Sequence, residues 1–135
     1  VNDLVRAAMA NGEITAMKDP TRGGLATILN EMASKADVGI DVEEREVPVS
    51  GPVSSAGEVL GIEPFDVACE GVVVMGVASE DADAVVEALR DNPKGEDAAI
   101  VGEVVDDHTG QVVLDTGFGR RYLTPPEGEQ LPRIC

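Results

Sequence analysis

The order of apolar periods along the chain predicts an α+β fold: an αβ sandwich on a mixed sheet, with a ferredoxin-like arrangement as its close neighbour. Three observations carry this expectation. Helical and strand-like periods interleave without the regular alternation of a doubly wound fold. Residues 71–78 form an almost wholly apolar run of strand length, which argues for a central strand covered on both faces. Residues 99–105 and 111–114 flank the turn Asp106-Asp107-His108-Thr109-Gly110 and read as a hairpin, which adds antiparallel pairing.

The chain opens with Leu4, Val5, Ala8 and Met9 at helical spacing, and Asn11-Gly12 stops that helix. Ile14–Lys18 follows as a short strand. Asp19 is a plausible N-cap with Pro20 at the first helical position, and Leu25, Ile28, Leu29 and Met32 then form one apolar stripe. Strand-like alternation covers Val38–Val42 and extends weakly over Arg45–Val49. Ser50-Gly51-Pro52 opens a further helix carrying Val53, Ala56, Val59 and Leu60. After the apolar run, Ser79 is expected to cap a helix with Ala82, Val85, Val86 and Leu89 inward, ended by Asp91-Asn92-Pro93 and Lys94-Gly95. The expected organisation is one αβ domain over 1–122 and an extended tail over 123–135, which carries Pro125, Pro126, Gly128 and Pro132.

Composition narrows the function. The chain has 135 residues, 43% hydrophobic and 27% charged, enough apolar mass for one globular core. A net charge of −16 would repel nucleic-acid phosphates and anionic lipid, so neither is an expected partner. The excess of acid suits solubility or a high-salt habitat. Two cysteines, Cys69 and Cys135, are too few for a disulfide framework, and a reducing cytoplasm is the expected location. With Val1 in place of an initiator Met, the chain is expected to be a piece of a longer protein.

Three stretches can carry chemistry. In Asp19-Pro20-Thr21-Arg22-Gly23-Gly24, paired glycines allow close backbone approach, a helix start offers N–H groups to an anion, and Arg22 adds a forked cationic donor. The same residues could equally be a helix start packed tightly on a sheet. In Ala68-Cys69-Glu70-Gly71, a carboxylate at the mouth of an apolar strand could be raised in pKa and act as a base, whereas Cys69 reads as an inert core thiol. Third, Gln130-Leu131-Pro132-Arg133-Ile134-Cys135 places a thiol at the very end of a proline-stiffened tail, which suits a group carried between active sites. The adjacent α-carboxylate raises the pKa of that thiol, so an enzyme would have to activate it. His108 has no second ligand at metal spacing, and no metal site is expected.

These stretches together resemble the C-terminal domain of the HypE family of hydrogenase-maturation proteins, within the PurM superfamily of ATP-dependent enzymes. The match rests on residues 17–26, on Ala68-Cys69-Glu70-Gly71 and on the ending from Gly119-Arg120-Arg121 through Pro132-Arg133-Ile134-Cys135. It departs from the family pattern at Cys69, where Asn is usual, and at Val72, where a basic residue is usual. The resemblance implies a PurM C-terminal-domain-like fold and an ATP-dependent dehydratase that converts S-carbamoyl on Cys135 into S-cyano, the source of the cyanide ligands of the [NiFe] hydrogenase iron. It implies Glu70 as the base, and Thr21, Arg22, Gly23 and Gly24 as phosphate contacts with Asp19 fixing the turn. It also implies ATP and Mg bound mainly by an N-terminal domain absent from this chain, so that the chain alone would be inactive. The implied partners are a HypF carbamoyltransferase, a HypC–HypD complex and a second copy in a homodimer. Two other readings stay open: another ATP-dependent synthetase of the PurM superfamily, which has no use for a terminal Cys, and a non-catalytic docking module for maturation partners.

Overall fold

A computed structural model describes residues 2–128 of the chain. It opens with α1 (Asn2–Asn11), β1 (Ile14–Lys18) and α2 (Gly24–Ala36), followed by β2 (Gly39–Glu43) and α3 (Gly51–Leu60). Then come β3 (Val74–Val77), α4 (Ala82–Arg90), β4 (Gly102–Val105), β5 (Val112–Asp115) and β6 (Arg120–Tyr122), with 3₁₀ turns at Glu44–Glu46, Pro64–Asp66 and Pro93–Gly95. The expected α+β class with a mixed sheet is what forms. One sheet runs β4-β2-β5-β6, with β2 antiparallel to β4 and parallel to β5, and β5 antiparallel to β6. A separate antiparallel pair joins β1 to β3, with Met17 opposite Met75 and Lys18 opposite Val74.

The core lies between α2 and the larger sheet. Ala26, Leu29 and Ala33 of α2 meet Ile40 and Val42 of β2 and Val112 and Leu114 of β5, with Phe65 and Leu123 closing the ends. Of the stripe expected on α2, Leu29 enters this core and Leu25 and Met32 pack partly buried against it, while Ala26 and Ala33, small residues outside that stripe, are fully buried in it. Burying a side chain such as Leu114, which is wholly inaccessible, stabilises the fold by roughly 1.5–3 kcal/mol. α1 and α4 pack on each other, and Ala8 and Val85 are the residues they bury.

The structure corrects several local expectations. The segments 99–105 and 111–114 do not form a hairpin: β4 and β5 both pair with β2, which lies between them. The turn between them must therefore cross the start of β2, and Gly39 permits it. A Cβ there would strike the carbonyl of Asp107 and come within 2.9 Å of the His108 ring. The N–H of Gly110 then donates to the carbonyl of Val38 at 2.8 Å. The apolar run 71–78 is likewise no central strand. Only Val74–Val77 is strand, half-buried throughout, and its sole strand partner among the described residues is β1. Arg45–Val49 is not a strand, because the chain turns at Glu44–Glu46 and Pro48 has no N–H to pair.

The cap of α4 falls at Asp81 rather than Ser79, and its carboxylate accepts the N–H of Glu13 at 2.9 Å. α3 forms where expected, yet buries no residue: Val53, Val59 and Leu60 are exposed. Leu123, assigned above to the start of the tail, is buried in the core, and the preceding strand β6 has no counterpart in the sequence reading.

Candidate functional site

The glycine-rich loop lies between β1 and α2. Lys18, the last residue of β1, is ion-paired with Glu31 of α2 and fixes the strand end against the helix. Hydrogen bonding to Glu31 raises the Lys18 pKa, and the same contact lowers that of Glu31. Pro20 is buried, and the N–H of Thr21 donates to the carbonyl of Asp19 at 3.0 Å, closing a tight turn. The helix does not begin at Asp19-Pro20 as expected. Gly23 and Gly24 adopt left-handed backbone with φ of 70° and 63°, which delays the helix to Gly24. Gly24 is also a point of close approach. A Cβ there would strike the carbonyl of Phe65 and lie 2.6 Å from that of Val67, so only glycine lets α2 seat against the 3₁₀ turn.

No side chain caps the N-terminus of α2. The first-turn N–H groups of a helix lack intrahelical partners and carry the positive end of its dipole, so such an end accepts an anion. Arg22 is exposed beside it, as are Asp19 and Thr21. The residues present thus fit a phosphate group chemically through backbone donors and one guanidinium, while the space a Cβ would need at Gly23 and Gly24 is taken by Thr27 and by the Phe65 and Val67 carbonyls.

The second motif meets the first through the backbone. The N–H of Cys69 donates to the carbonyl of Pro20 at 2.8 Å, which places Cys69 and Glu70 alongside the loop that leads into α2. Glu70 sits on an exposed bend ahead of β3. The apolar enclosure that the sequence reading invoked for it is not supplied by the described residues. The Cys69 thiol points back to the carbonyl of Val67 at 3.5 Å, and burial pushes its pKa up, so it is a packed neutral thiol. Asp19, Thr21, Arg22, Gly23, Gly24 and Glu70 therefore share one corner of the domain. Cys135 lies outside the described residues, as does the rest of the Pro-Arg-Ile-Cys ending.

Beside this corner opens a groove of about 840 Å³, whose walls include Pro20, Leu25, Phe65, Cys69, Val72 and Ile100. Its lining is mainly apolar and takes in Val74, Met75 and Val77 of β3 and Gly102 of β4. One carboxylate that the sequence reading did not single out is Asp66, in the turn on which Gly24 rests. Burial raises its pKa, and the charge of Arg121 opposes that shift. Nothing local in the sequence marks it, since its burial comes from elements distant along the chain. His108 lies far along the chain in the crossing turn, its Nε2 3.0 Å from Asp41 Oδ1, out of line for a hydrogen bond. Among the described residues, no group of three or more His, Cys, Asp or Glu could hold a metal ion, and no helix is long and apolar enough to cross a membrane.

Comparison with known proteins agrees with this fold. Residues 1–115 match the family model of the AIR synthase related protein, C-terminal domain. Carbamoyl dehydratase HypE of Bradyrhizobium diazoefficiens is 47% identical over 138 residues, spanning 100% of this chain and 40% of its own length. Carbamoyl dehydratase HypE of Rhizobium leguminosarum bv. viciae is 46% identical over 136 residues, spanning 100% of this chain and 38% of its own. Among solved structures, the hydrogenase maturation protein HypE in complex with ATP superposes with a TM-score of 0.92 at 39% identity, over 100% of this chain and 42% of that one. A HypE–HypF complex superposes with a TM-score of 0.87 at 38% identity, over 93% of this chain and 41% of that one. The chain thus spans about two fifths of the length of the relatives it matches. Over residues 1–115 by its family model and over its whole length by its relatives, the chain belongs to the AIR synthase-related C-terminal domain family, in the company of HypE-type hydrogenase maturation proteins.

Proposed function

We propose that this chain is the C-terminal part of an ATP-dependent carbamoyl dehydratase that turns an S-carbamoyl group on Cys135 into S-cyano. The observation that carries the reading is the 2.8 Å hydrogen bond from Cys69 N–H to Pro20 O, which sets the carboxylate-bearing bend beside an uncapped, arginine-flanked helix start. The likeness to relatives named carbamoyl dehydratase supports the substrate, and the relative solved with ATP supports the nucleotide.

A carbamoyl group on sulfur is R–S–C(=O)–NH2, and its oxygen is a poor leaving group. ATP, when bound, supplies the phosphoryl group that makes this oxygen leave as phosphate. The residues of this chain do the rest. The first-turn N–H groups of α2 and the Arg22 guanidinium hold phosphate oxygens, with Thr21 beside them and the left-handed Gly23 and Gly24 shaping the loop that presents them. Asp19 fixes the turn through its carbonyl. Glu70 takes protons from the amide nitrogen as the carbon–oxygen bond breaks. Both amide protons and the oxygen are lost, which leaves R–S–C≡N, ADP and phosphate.

The longer protein supplies what this chain lacks. Magnesium and most ATP contacts belong to the part of the relatives' length outside these residues. A HypF-type carbamoyltransferase loads Cys135, in keeping with the solved HypE–HypF complex, and a HypC–HypD-type complex receives the cyano group. The full-length protein works as a homodimer in the cytoplasm, where thiols stay reduced.

The test is mass spectrometry of the full-length protein after incubation with its carbamoyl-transfer partner, without and then with ATP. The expected result is a carbamoyl adduct on Cys135 that loses one water equivalent when ATP is added. An adduct that survives Cys135→Ala would show that the carrier is another residue.

A further inference from the structure

The three residues of β6 and the one after it hold the chain in an unusual way. Arg120 reaches Asp41 of β2 at 3.0 Å, and Arg121 reaches Glu63, just ahead of the 3₁₀ turn that leads to Glu70, at 3.4 Å. Leu123 is held on all sides. Its side chain is 2% exposed, its N–H donates to Val112 O at 2.8 Å, and its carbonyl accepts from Asn30 Nδ2 at 2.7 Å. The same Asn30 amide donates to Ala26 O at 2.8 Å, one turn back along α2, which locks its orientation. Immediately afterwards Thr124 and Pro125 are exposed.

We propose that Arg120–Leu123 is a root clamp: it bolts the base of the cysteine-bearing arm to α2 and to the turn before Glu70, the two elements that carry the halves of the site, with Asn30 as a positioning residue. This rests on the function proposed above and adds to it where the arm is anchored. The geometry gives the clamp its use. Asn30 lies six residues along α2 from Gly24, about 9 Å at 1.5 Å per residue. The twelve residues after Leu123 can span at most about 40 Å, several times that distance. An arm much longer than its span presents its end to the site at less than the maximal effective concentration, so the direction in which it departs matters. Pro125 and Pro126 favour an extended, stiff backbone, and this carries the direction set at Leu123 further along the arm. A buried leucine serving the core alone would need a partner for its carbonyl but not the two arginine ties on either side of β6.

The experiment compares the reaction on the arm with the same reaction supplied from solution. Full-length protein and its Asn30→Ala variant are loaded on Cys135 by the carbamoyl-transfer partner, and the ATP-dependent loss of water is followed in a single turnover. In parallel, both are shortened to end at Gly128 and given a synthetic peptide of the sequence Glu129 to Cys135 carrying S-carbamoyl cysteine. The expected result is a cis reaction slowed about fivefold or more, with the kcat/KM for the peptide unchanged within about twofold. An unchanged cis rate overturns the clamp. So does an equal fall in both reactions, which would mean that Asn30 supports the site and not the arm. Should Asn30→Ala not fold, Arg121→Ala makes the same comparison by cutting the tie to Glu63. Wild-type protein that converts neither its own arm nor the peptide overturns the proposed dehydratase itself, and the clamp falls with it.

Discussion

Replacing Gly24 by alanine probes the seam on which the site depends. Two costs are separable there. An alanine at φ 63° pays the left-handed backbone penalty, about 1–2 kcal/mol. Its Cβ would also press on the carbonyls of Phe65 and Val67, the latter at 2.6 Å, and forcing the 3₁₀ turn away from α2 adds about 1–3 kcal/mol of overpacking. The sum is a destabilisation of about 2–5 kcal/mol. Gly71 supplies the control, because its φ is 75° but a Cβ there meets nothing within 4 Å, so Gly71→Ala should cost only the backbone part, about 1–2 kcal/mol. Urea unfolding measures both. With a slope of about 1–3 kcal/mol per M, the excess of about 1–3 kcal/mol for Gly24 should lower the midpoint by a further ~1 M. Equal midpoints for the two variants would refute the close approach of α2 to the 3₁₀ turn, and with it the argument that only glycine lets the helix seat there.

Other substitutions test the remaining contacts. Gly39→Ala should lift the crossing turn off β2, and hydrogen exchange should show the Gly110 N–H, bonded to Val38 O, losing protection while the β2–β5 ladder keeps it; an unchanged Gly110 would contradict the crossing. Cys69, raised in pKa by burial, should react with iodoacetamide about tenfold or more slowly than the thiol of a short peptide, and equal rates on mass mapping would refute its packed state. Glu31 is held below its ordinary value of 4.5 by Lys18, so its contribution is present above that value and is lost as pH falls through its lower folded-state value. Glu31→Gln should therefore lower the urea midpoint slightly at neutral pH and leave it unchanged in acid. The same difference at both pH values would count against the ion pair.

What could be read from the residues depended on whether the cause was local. Ile14–Lys18 alternates between half-buried and exposed positions, and Leu25, Ile28, Leu29 and Met32 recur at helical spacing, so β1 and α2 were legible from period alone, although the small Ala26 and Ala33 that the core buries most fully were not. The crossing of β4 and β5 over β2 was not, because a polar turn between two apolar segments looks the same whether the segments pair with each other or straddle a third. Only Gly39, distant in sequence, makes room for it. The run 71–78 misled for a similar reason: apolar side chains report that something should cover them, and the described chain leaves much of that surface facing an open groove. At the site, the residue types of the glycine loop pointed to an anion, but Asp19 suggested a cap that two left-handed glycines displace. The bond joining Pro20 to Cys69 is between backbone atoms, and no side-chain pattern announces it.

Glu70→Gln in the full-length protein is the most direct trial of the dehydratase assignment. The variant keeps the shape and hydrogen-bonding reach of the side chain but cannot accept the amide protons. After loading of Cys135 and addition of ATP, the carbamoyl adduct should persist on the variant, with conversion to S-cyano slower by about 10²–10⁴. Conversion at the wild-type rate would contradict the account, because the carboxylate that the Cys69–Pro20 hydrogen bond sets beside the glycine-rich loop would then take no part in the chemistry.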